Sequence, residues 1–495
     1  MKILLINPPW YRFFDEELAA YPIGLSYIAG VMEKNGFNVI VYNADHETQK
    51  KTSLFISPGS KMLSRHEQYQ AILKDMNHVI WQDIRETIEK HSPDVIGLSV
   101  MTPKYGAALN VARLAKKINT NTIIVLGGIH PTIMSEETIK NECVDFVVRG
   151  EGEYTFLELM KKIKNGKKDF ENVLGISYKK EEKPFHNPDR PLIENLDDLP
   201  NPSRHLLLDK ETYHPNAFSK IFSTRGCPYQ CTFCGSNKIW KRKVRFRSPE
   251  KVVDEIISVK DDYGSKHFVF EDDSFTIDKN FVNSVCDLLI EQKANVEWSC
   301  ETRANLVTDE LIKKMKKAGC TGIVIGVESG SPRILKKIKK GVTIEEIENA
   351  ARIIKKNSLL FSAFFMIGFP DETEDDINKT IELMKKIKPF TAVLSIFTPY
   401  PDTEAYGECL NYGLIPDNIN WSTFYHQSPE MHFVKNITKE RFNEIVRHTE
   451  KIFDEHNKLQ RRSLVMKHPI YTIRRIIKNK YYTPKNMLRL FKMIR

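Results

Sequence analysis

No run of apolar residues in this chain reaches the roughly 18 needed to span a bilayer, and no solenoid-type repeat divides it. A disulfide framework is missing as well. Only eight cysteines are spread over 495 residues, and three of them fall between positions 227 and 234. That usage excludes a disulfide-stapled secreted domain and fits a reducing, cytoplasmic compartment. Acidic residues vanish from the end of the chain: from His456 to Arg495 there are 12 Lys/Arg and no Asp/Glu. Residues 1–455 carry 62 Lys/Arg against 64 Asp/Glu, so the net charge of +10 belongs to the tail. By charge, the body is not a nucleic-acid binder. The opening Met-Lys-Ile-Leu-Leu-Ile-Asn-Pro-Pro-Trp reads as a buried strand ending in a turn. A secretory signal would have a longer apolar core ending at small residues.

The chain is too long for one core, and its 41% hydrophobic content is that of a globular protein. Short apolar runs at 2–6, 39–42, 95–100 and 122–126 alternate with helical periodicity at 22–35 and 107–118. Such alternation predicts an α/β fold with a doubly wound parallel sheet. Residues 46–90 read as a polar insertion with a helix near 68–89. Lysine- and proline-rich residues 167–205 read as a small hairpin and linker. Alternation resumes at 218–400. Strands are expected at 221–224, 267–271, 296–301, 322–327, 361–367 and 392–397, with helices at 249–263, 280–292, 308–318, 331–338, 344–357 and 374–387. Six βα units predict a partial (β/α)6 TIM-like barrel, whose chemistry would sit at the C-terminal strand ends. The expected division is 1–160, a linker at 161–210, the barrel at 211–410, and an α-helical region with a basic tail at 411–495.

Cys227, Cys231 and Cys234 stand in Ser-Thr-Arg-Gly-Cys-Pro-Tyr-Gln-Cys-Thr-Phe-Cys-Gly, a C-x3-C-x2-C spacing just after the first barrel strand. Three thiolates can hold three irons of a [4Fe-4S] cluster and leave the fourth open to a ligand, whereas electron carriers close all four with Cys. A zinc site would more often show paired C-x2-C or a histidine at set spacing.

This layout resembles the radical S-adenosylmethionine (SAM) superfamily, and within it the members with an N-terminal cobalamin-binding domain: the class B methyltransferases and the anaerobic Mg-protoporphyrin monomethyl ester cyclase-like group. The resemblance covers about residues 1–410 and includes 298–304, Gly326-Val327-Glu328-Ser329-Gly330, Met366-Ile367-Gly368-Phe369-Pro370 and Pro399-Tyr400-Pro401-Asp402-Thr403. It implies that SAM chelates the open iron and is cleaved to a 5′-deoxyadenosyl radical, which abstracts hydrogen from an unactivated carbon. It also implies site residues. Phe233 would meet adenine. Glu271, Asp272 and Asp273 stand where the family has a Gly-Gly-Glu-like segment for the SAM amino group. Arg303 would pair with the SAM carboxylate, and Glu328 with the ribose.

Cobalamin would lie against loops at the C-terminal edge of the first sheet. The candidates there are Asn7 and Pro8, Ser99 and Thr102, Gly127, Gly128 and His130, and Gly150 and Glu151. The Asp-x-His-x-x-Gly motif that supplies an axial histidine is absent after the first strand. Asp45-His46-Glu47-Thr48 only echoes it, and His130 alone reads as a loop or core histidine.

The reaction the resemblance implies is methylation of an unactivated carbon, with methylcobalamin as methyl donor. A cyclase or C–C bond former on the same scaffold is the alternative. tRNA methylthiolation fits less, since only Cys143 precedes Cys227. A non-catalytic iron–sulfur redox or sensor protein is the remaining reading. The partners implied are a small-molecule or lipid-like substrate and a flavodoxin- or ferredoxin-type electron donor. Basic residues interleaved with apolar ones at 461–462, 470–477 and 487–495 also suit contact with an anionic membrane face, which would place the protein peripherally at the inner membrane.

Overall fold

The computed structural model of the chain describes residues 1–16, 20–47, 62, 64–167 and 169–467. These form two compact units. The first comprises the described residues up to Phe268 together with Thr398–Met431, and the second comprises Val269–Phe397 and residues 432–467.

The first unit is built on strands β1 (Lys2–Asn7), β2 (Asn38–Asn43), β3 (Val95–Ser99), β4 (Ile123–Gly127) and β5 (Phe146–Val148). They are parallel, in the order β2-β1-β3-β4-β5. Leu4, Leu5, Ile6, Val95, Ile96, Ile124 and Leu126 are buried, as strands covered by helices on both faces require. The order reverses direction between β1 and β3, and in open α/β sheets ligands bind at the C-terminal strand ends beside such a switch point.

The hairpin expected in the linker region exists as β6 (Ile176–Lys180) and β7 (Lys183–His186), but it does not stand apart. It continues the first sheet antiparallel to β5. The helix expected over 68–89 is two helices, His66–Lys74 and Val79–His91. The chain turns out of the first at Asp75, and the His78 ring starts the second by accepting from Ile80 N–H at 3.3 Å. Trp81 Nε1–H to the Ile72 carbonyl, 2.9 Å, ties them together.

The first barrel strand is also interrupted. Lys220–Ile221 (β8) and Thr224–Arg225 (β9) are separate, and β9 pairs antiparallel with Arg245–Phe246 (β10). The cysteine motif is the loop between β9 and β10.

His267–Phe270 (β11) straddles the division between the units. In the second unit, β12 (Glu297–Thr302), β13 (Cys320–Glu328), β14 (Leu360–Ile367) and β15 (Thr391–Ile396) follow one another as parallel neighbours. Helices between them begin on side-chain caps. Thr343 with Glu346 and Thr373 with Asp376 form reciprocal capping boxes. The long helix Lys439–Lys467 closes this sheet: Phe453 meets Phe365 edge-on, and Phe442 seats over Gly368. Asn457 both donates to the Ala392 carbonyl (2.9 Å) and accepts from its N–H (2.8 Å), so one side chain pairs the backbone of β15. Among the described residues no helix is long and apolar enough to cross a membrane. The basic segments at 470–477 and 487–495 lie outside the described residues.

Candidate active site

The loops named as cobalamin contacts do gather at one sheet edge. Asn7 ends β1, Ser99 ends β3, Gly127 ends β4, and Gly150 and Glu151 follow β5. Gly128 shows why glycine is needed. At φ +101° its Cα lies so close to β3's continuation that a Cβ would sit 2.8 Å from Val100 N and O. At Gly150 nothing lies within 4 Å of such a Cβ, which leaves room for a bulky ligand beside the backbone.

The edge is braced from beneath. Lys104, 4% exposed, donates to Asn7 Oδ1 (2.9 Å), to the Pro8 carbonyl (3.1 Å) and to Asp45 Oδ2 (3.2 Å). Asp45 in turn accepts from Trp10 N–H at 2.6 Å. Asn7 and Pro8 are thus held as part of a polar network that fixes the loop after β1.

His130 is buried beneath this edge. Nδ1 is 3.3 Å from Thr102 Oγ1, and the ring packs between Tyr105 and Trp421. Nε2 is buried with no hydrogen-bond partner among the described residues. Burial drives its pKa down to about 3, so the imidazole is neutral. That is the core histidine expected. Trp421 and Tyr425 belong to the same core. Trp421 Nε1–H donates to Glu137, and Tyr425 packs on Trp10 while its hydroxyl lies 2.6 Å from His66 Nδ1.

The Glu151 carboxylate, named from sequence as a cobalamin contact, is engaged by other residues of this chain. Its Oε1 accepts from Arg225 (2.7 Å), and its Oε2 from Arg245 (2.7 Å) and Ile193 N–H (2.7 Å). Arg225 forks onward to Glu153 at 2.5 Å. Burial works against the Arg225 charge, and the Glu153 and Glu151 carboxylates overcome it, raising the guanidinium above its ordinary pKa. Both arginines also lie over the Trp240 ring. Arg225 immediately precedes Gly226 and Cys227, and Arg245 leads the returning strand, so this buried cluster clamps the base of the cysteine loop.

The loop itself turns sharply at Gly226 (φ +100°), where a Cβ would collide with the Lys243 carbonyl at 2.1 Å. Its far side is also fastened within the first unit. Ala405 N–H donates to the Thr232 carbonyl (3.0 Å), and Lys238 pairs with Asp402 at 2.7 Å. Gly235 packs against Ile129, where a Cβ would come 3.3 Å from its Cδ1. The cysteine loop therefore touches the segment carrying Gly127 and Gly128.

Cys227, Cys231 and Phe233 are half-buried and Cys234 is exposed. The other five cysteines are buried, and burial pushes their thiols up, to about 12 for Cys286 and Cys409. Thiolates are the ligands that iron takes, so accessibility separates the motif from the rest. Among the described residues no three His, Cys, Asp or Glu side chains converge as they would on a single ion. A four-iron cluster does not ask for that, since each thiolate meets a different iron.

In the second unit, Asp272 follows the buried Phe270 at a two-residue interval and is 2% exposed, while Glu271 is half-buried and Asp273 exposed. Glu328 ends β13 in the left-handed region (φ +65°), a strained backbone for a non-glycine residue. Its carboxylate is 2.7 Å from Lys340 Nζ, and the Lys340 carbonyl accepts from Arg303. Lys340 therefore joins two residues read separately as SAM contacts. Nothing in Lys-Ile-Lys-Lys-Gly marks it. Glu372 was also missed. It is fully buried in the turn after β14, and its Oε2 accepts from Gly368 N–H (2.5 Å) and Phe369 N–H (3.2 Å). Burial outweighs those two bonds and raises its pKa to about 8.

Residues 221–384 match the radical SAM superfamily and residues 59–160 the B12 binding domain. An uncharacterized methyltransferase of Pyrococcus horikoshii is 33% identical over 90% of this chain and 91% of its own. The anaerobic magnesium-protoporphyrin IX monomethyl ester cyclase of Rubrivivax gelatinosus is 28% identical over 82% of this chain and 70% of its own. Among solved structures, the radical SAM methyltransferase TsrM of Kitasatospora setae, with cobalamin and a [4Fe-4S] cluster bound, shares the fold. It aligns at a TM-score of 0.65 and 17% identity, covering 83% of this chain and 78% of that one. With both domains matched and a relative aligned over nearly its whole length, this chain belongs to the cobalamin-dependent radical SAM methyltransferase family, enzymes that use a [4Fe-4S] cluster, SAM and cobalamin.

Proposed function

We propose that the protein methylates an unactivated carbon of a small-molecule substrate. The cofactors supply the chemistry: SAM bound at the cluster yields a hydrogen-abstracting radical, and methylcobalamin donates the methyl group. The protein's part is to hold the two cofactor loops close. Cys227, Cys231 and Cys234 are assigned as cluster ligands. Gly127, Gly128 and Gly150 are assigned to the corrin edge, with Asn7, Pro8, Ser99 and Thr102 shaping it. Following the resemblance, Phe233, Glu271, Asp272, Arg303 and Glu328 are assigned to SAM. The observation that carries this reading is the contact of Gly235, at the end of the cysteine loop, with Ile129 beside Gly128. A methyl donor must lie near the radical's target, and this packing puts the two loops side by side in one unit.

Exposed charge at the cysteine loop, on Lys241, Arg242 and Lys243, suits docking of an acidic flavodoxin- or ferredoxin-type donor. A reducing cytoplasmic location agrees with the five buried thiols. Ring closure is the second reading, favoured by the Rubrivivax relative.

Anaerobic reconstitution with iron, sulfide and hydroxocobalamin, desalting and an absorption spectrum tests the assignment. One cobalamin and one cluster retained per chain, with 5′-deoxyadenosine formed from SAM under reduction, supports it. A cluster without cobalamin overturns methylcobalamin chemistry. Methyl-labelled SAM then separates the readings: label enters the product in methylation and stays out of it in cyclisation.

A further inference from the structure

We propose that Glu151 is a positioning residue that couples occupancy of the cobalamin edge to the stability of the iron–sulfur loop. The inference rests on the cluster and cobalamin assignments above. It starts from where Glu151 sits: one residue beyond Gly150, on the turn that follows β5, with its carboxylate buried among Arg225, Arg245 and Ile193. Both oxygens are taken up by Arg225 and Arg245, the residues that open and close the cysteine loop's hairpin. Glu151 is 7% exposed and Glu153 5%, so the pairing takes place out of water. Breaking one partner of such a pair leaves an uncompensated buried charge, whereas an exposed pair contributes little.

The cluster is therefore stiff, and it has two ends. At one end the backbone of Gly150–Glu151 forms part of the corrin edge, and Thr132 Oγ1 holds Gly150 N–H at 3.0 Å. At the other, Arg225 abuts Gly226 and Cys227. Ile193 N–H and carbonyl are both engaged, by Glu151 and Arg245 respectively, so the chain between the two domains is tied into the same knot. A ligand that orders the Gly150 turn also orders the Glu151 carboxylate, and with it the two strand residues from which Cys227 is suspended. By reciprocity, a filled cluster loop favours the corrin-binding shape of the turn.

The test measures how fast iron leaves the reconstituted protein under an excess of chelator, with and without bound hydroxocobalamin. Coupling energies of this kind correspond to roughly 5–150-fold, so cobalamin should slow iron loss by about tenfold in the wild-type chain. In Glu151→Gln the carboxylate charge is gone while the shape remains. Cobalamin should still be retained, yet the ratio of the two rates should fall towards one. Arg225→Lys keeps a cation that cannot fork to both Glu151 and Glu153, and should lose most of the ratio as well. It decides the matter if Glu151→Gln fails to fold. A merely structural residue would change both rates together and leave their ratio intact. A wild-type ratio of one with both cofactors bound overturns the proposal, as does a wild-type ratio preserved in a variant. A wild-type chain that retains no cobalamin overturns the functional reading, and the proposal with it.

Discussion

Glu151 and Glu372 are both buried carboxylates on turns after parallel strands, one in each unit, and they are kept in opposite ways. Two guanidinium groups and a backbone amide surround Glu151, while Glu372 accepts from the amides of Gly368 and Phe369. At Glu372 burial outweighs the amide bonds, and its pKa rises to about 8, near neutrality. The first unit thus uses charge to fix geometry, and the second carries an acid whose state follows the solution.

The sharpest break comes at the cysteine loop. Cys231→Ala should bring reconstituted iron down to the background of an unreconstituted control and abolish 5′-deoxyadenosine formation. The same change at Cys286, a buried thiol in a helix of the second unit, should leave both intact. Next is Glu255, 1% exposed and shared between Arg204 and Arg247. Glu255→Ala would strand two buried guanidinium groups and cost about 3–5 kcal/mol, read from anaerobic urea unfolding.

Glu372 gives a smaller, pH-dependent effect. Its folded pKa lies above that of the unfolded chain, so its contribution is full below about pH 4.5 and lost as pH rises through about 8. Melting temperature of the wild type should therefore fall between those values more steeply than that of Glu372→Gln. Parallel curves would show that the acid is not neutral. His130 runs the other way. Its depressed pKa keeps stability above about pH 6.5 and loses it as pH falls towards 3, so His130→Gln should flatten the acid limb. Least of all, Asp402→Asn, at the exposed pair with Lys238, should change stability by under about 1 kcal/mol, less still in high salt.

What was legible in the sequence followed from short range. The cysteine spacing, the glycines at 127–128 and 150, and the alternation of strands and helices each lie within a few residues, and the structure contains them. The strand read at 221–224 split, because Arg225 and Arg245 draw the chain into a hairpin that apolar patterning cannot foresee. The helix read at 68–89 broke where a histidine caps a new start. Glu151 looked like a ligand contact because its arginine partners lie more than seventy residues away. Lys340 went unnoticed because its neighbours Glu328 and Arg303 come from different strand ends, and a lysine among lysines carries no local signal.

The segment Thr398–Met431 belongs to the first unit, where Trp421 closes over His130 and Tyr425 over Trp10. On a ribosome that adds about 5–20 residues per second, the residues that begin this unit emerge long before those that finish it. The sheet must wait, with its aromatic seam uncovered, while the whole of 269–397 is made, an interval on the order of ten seconds. Birth of this enzyme is therefore not domain after domain, and a fragment cut at a tidy boundary near 268 would carry that uncovered seam permanently.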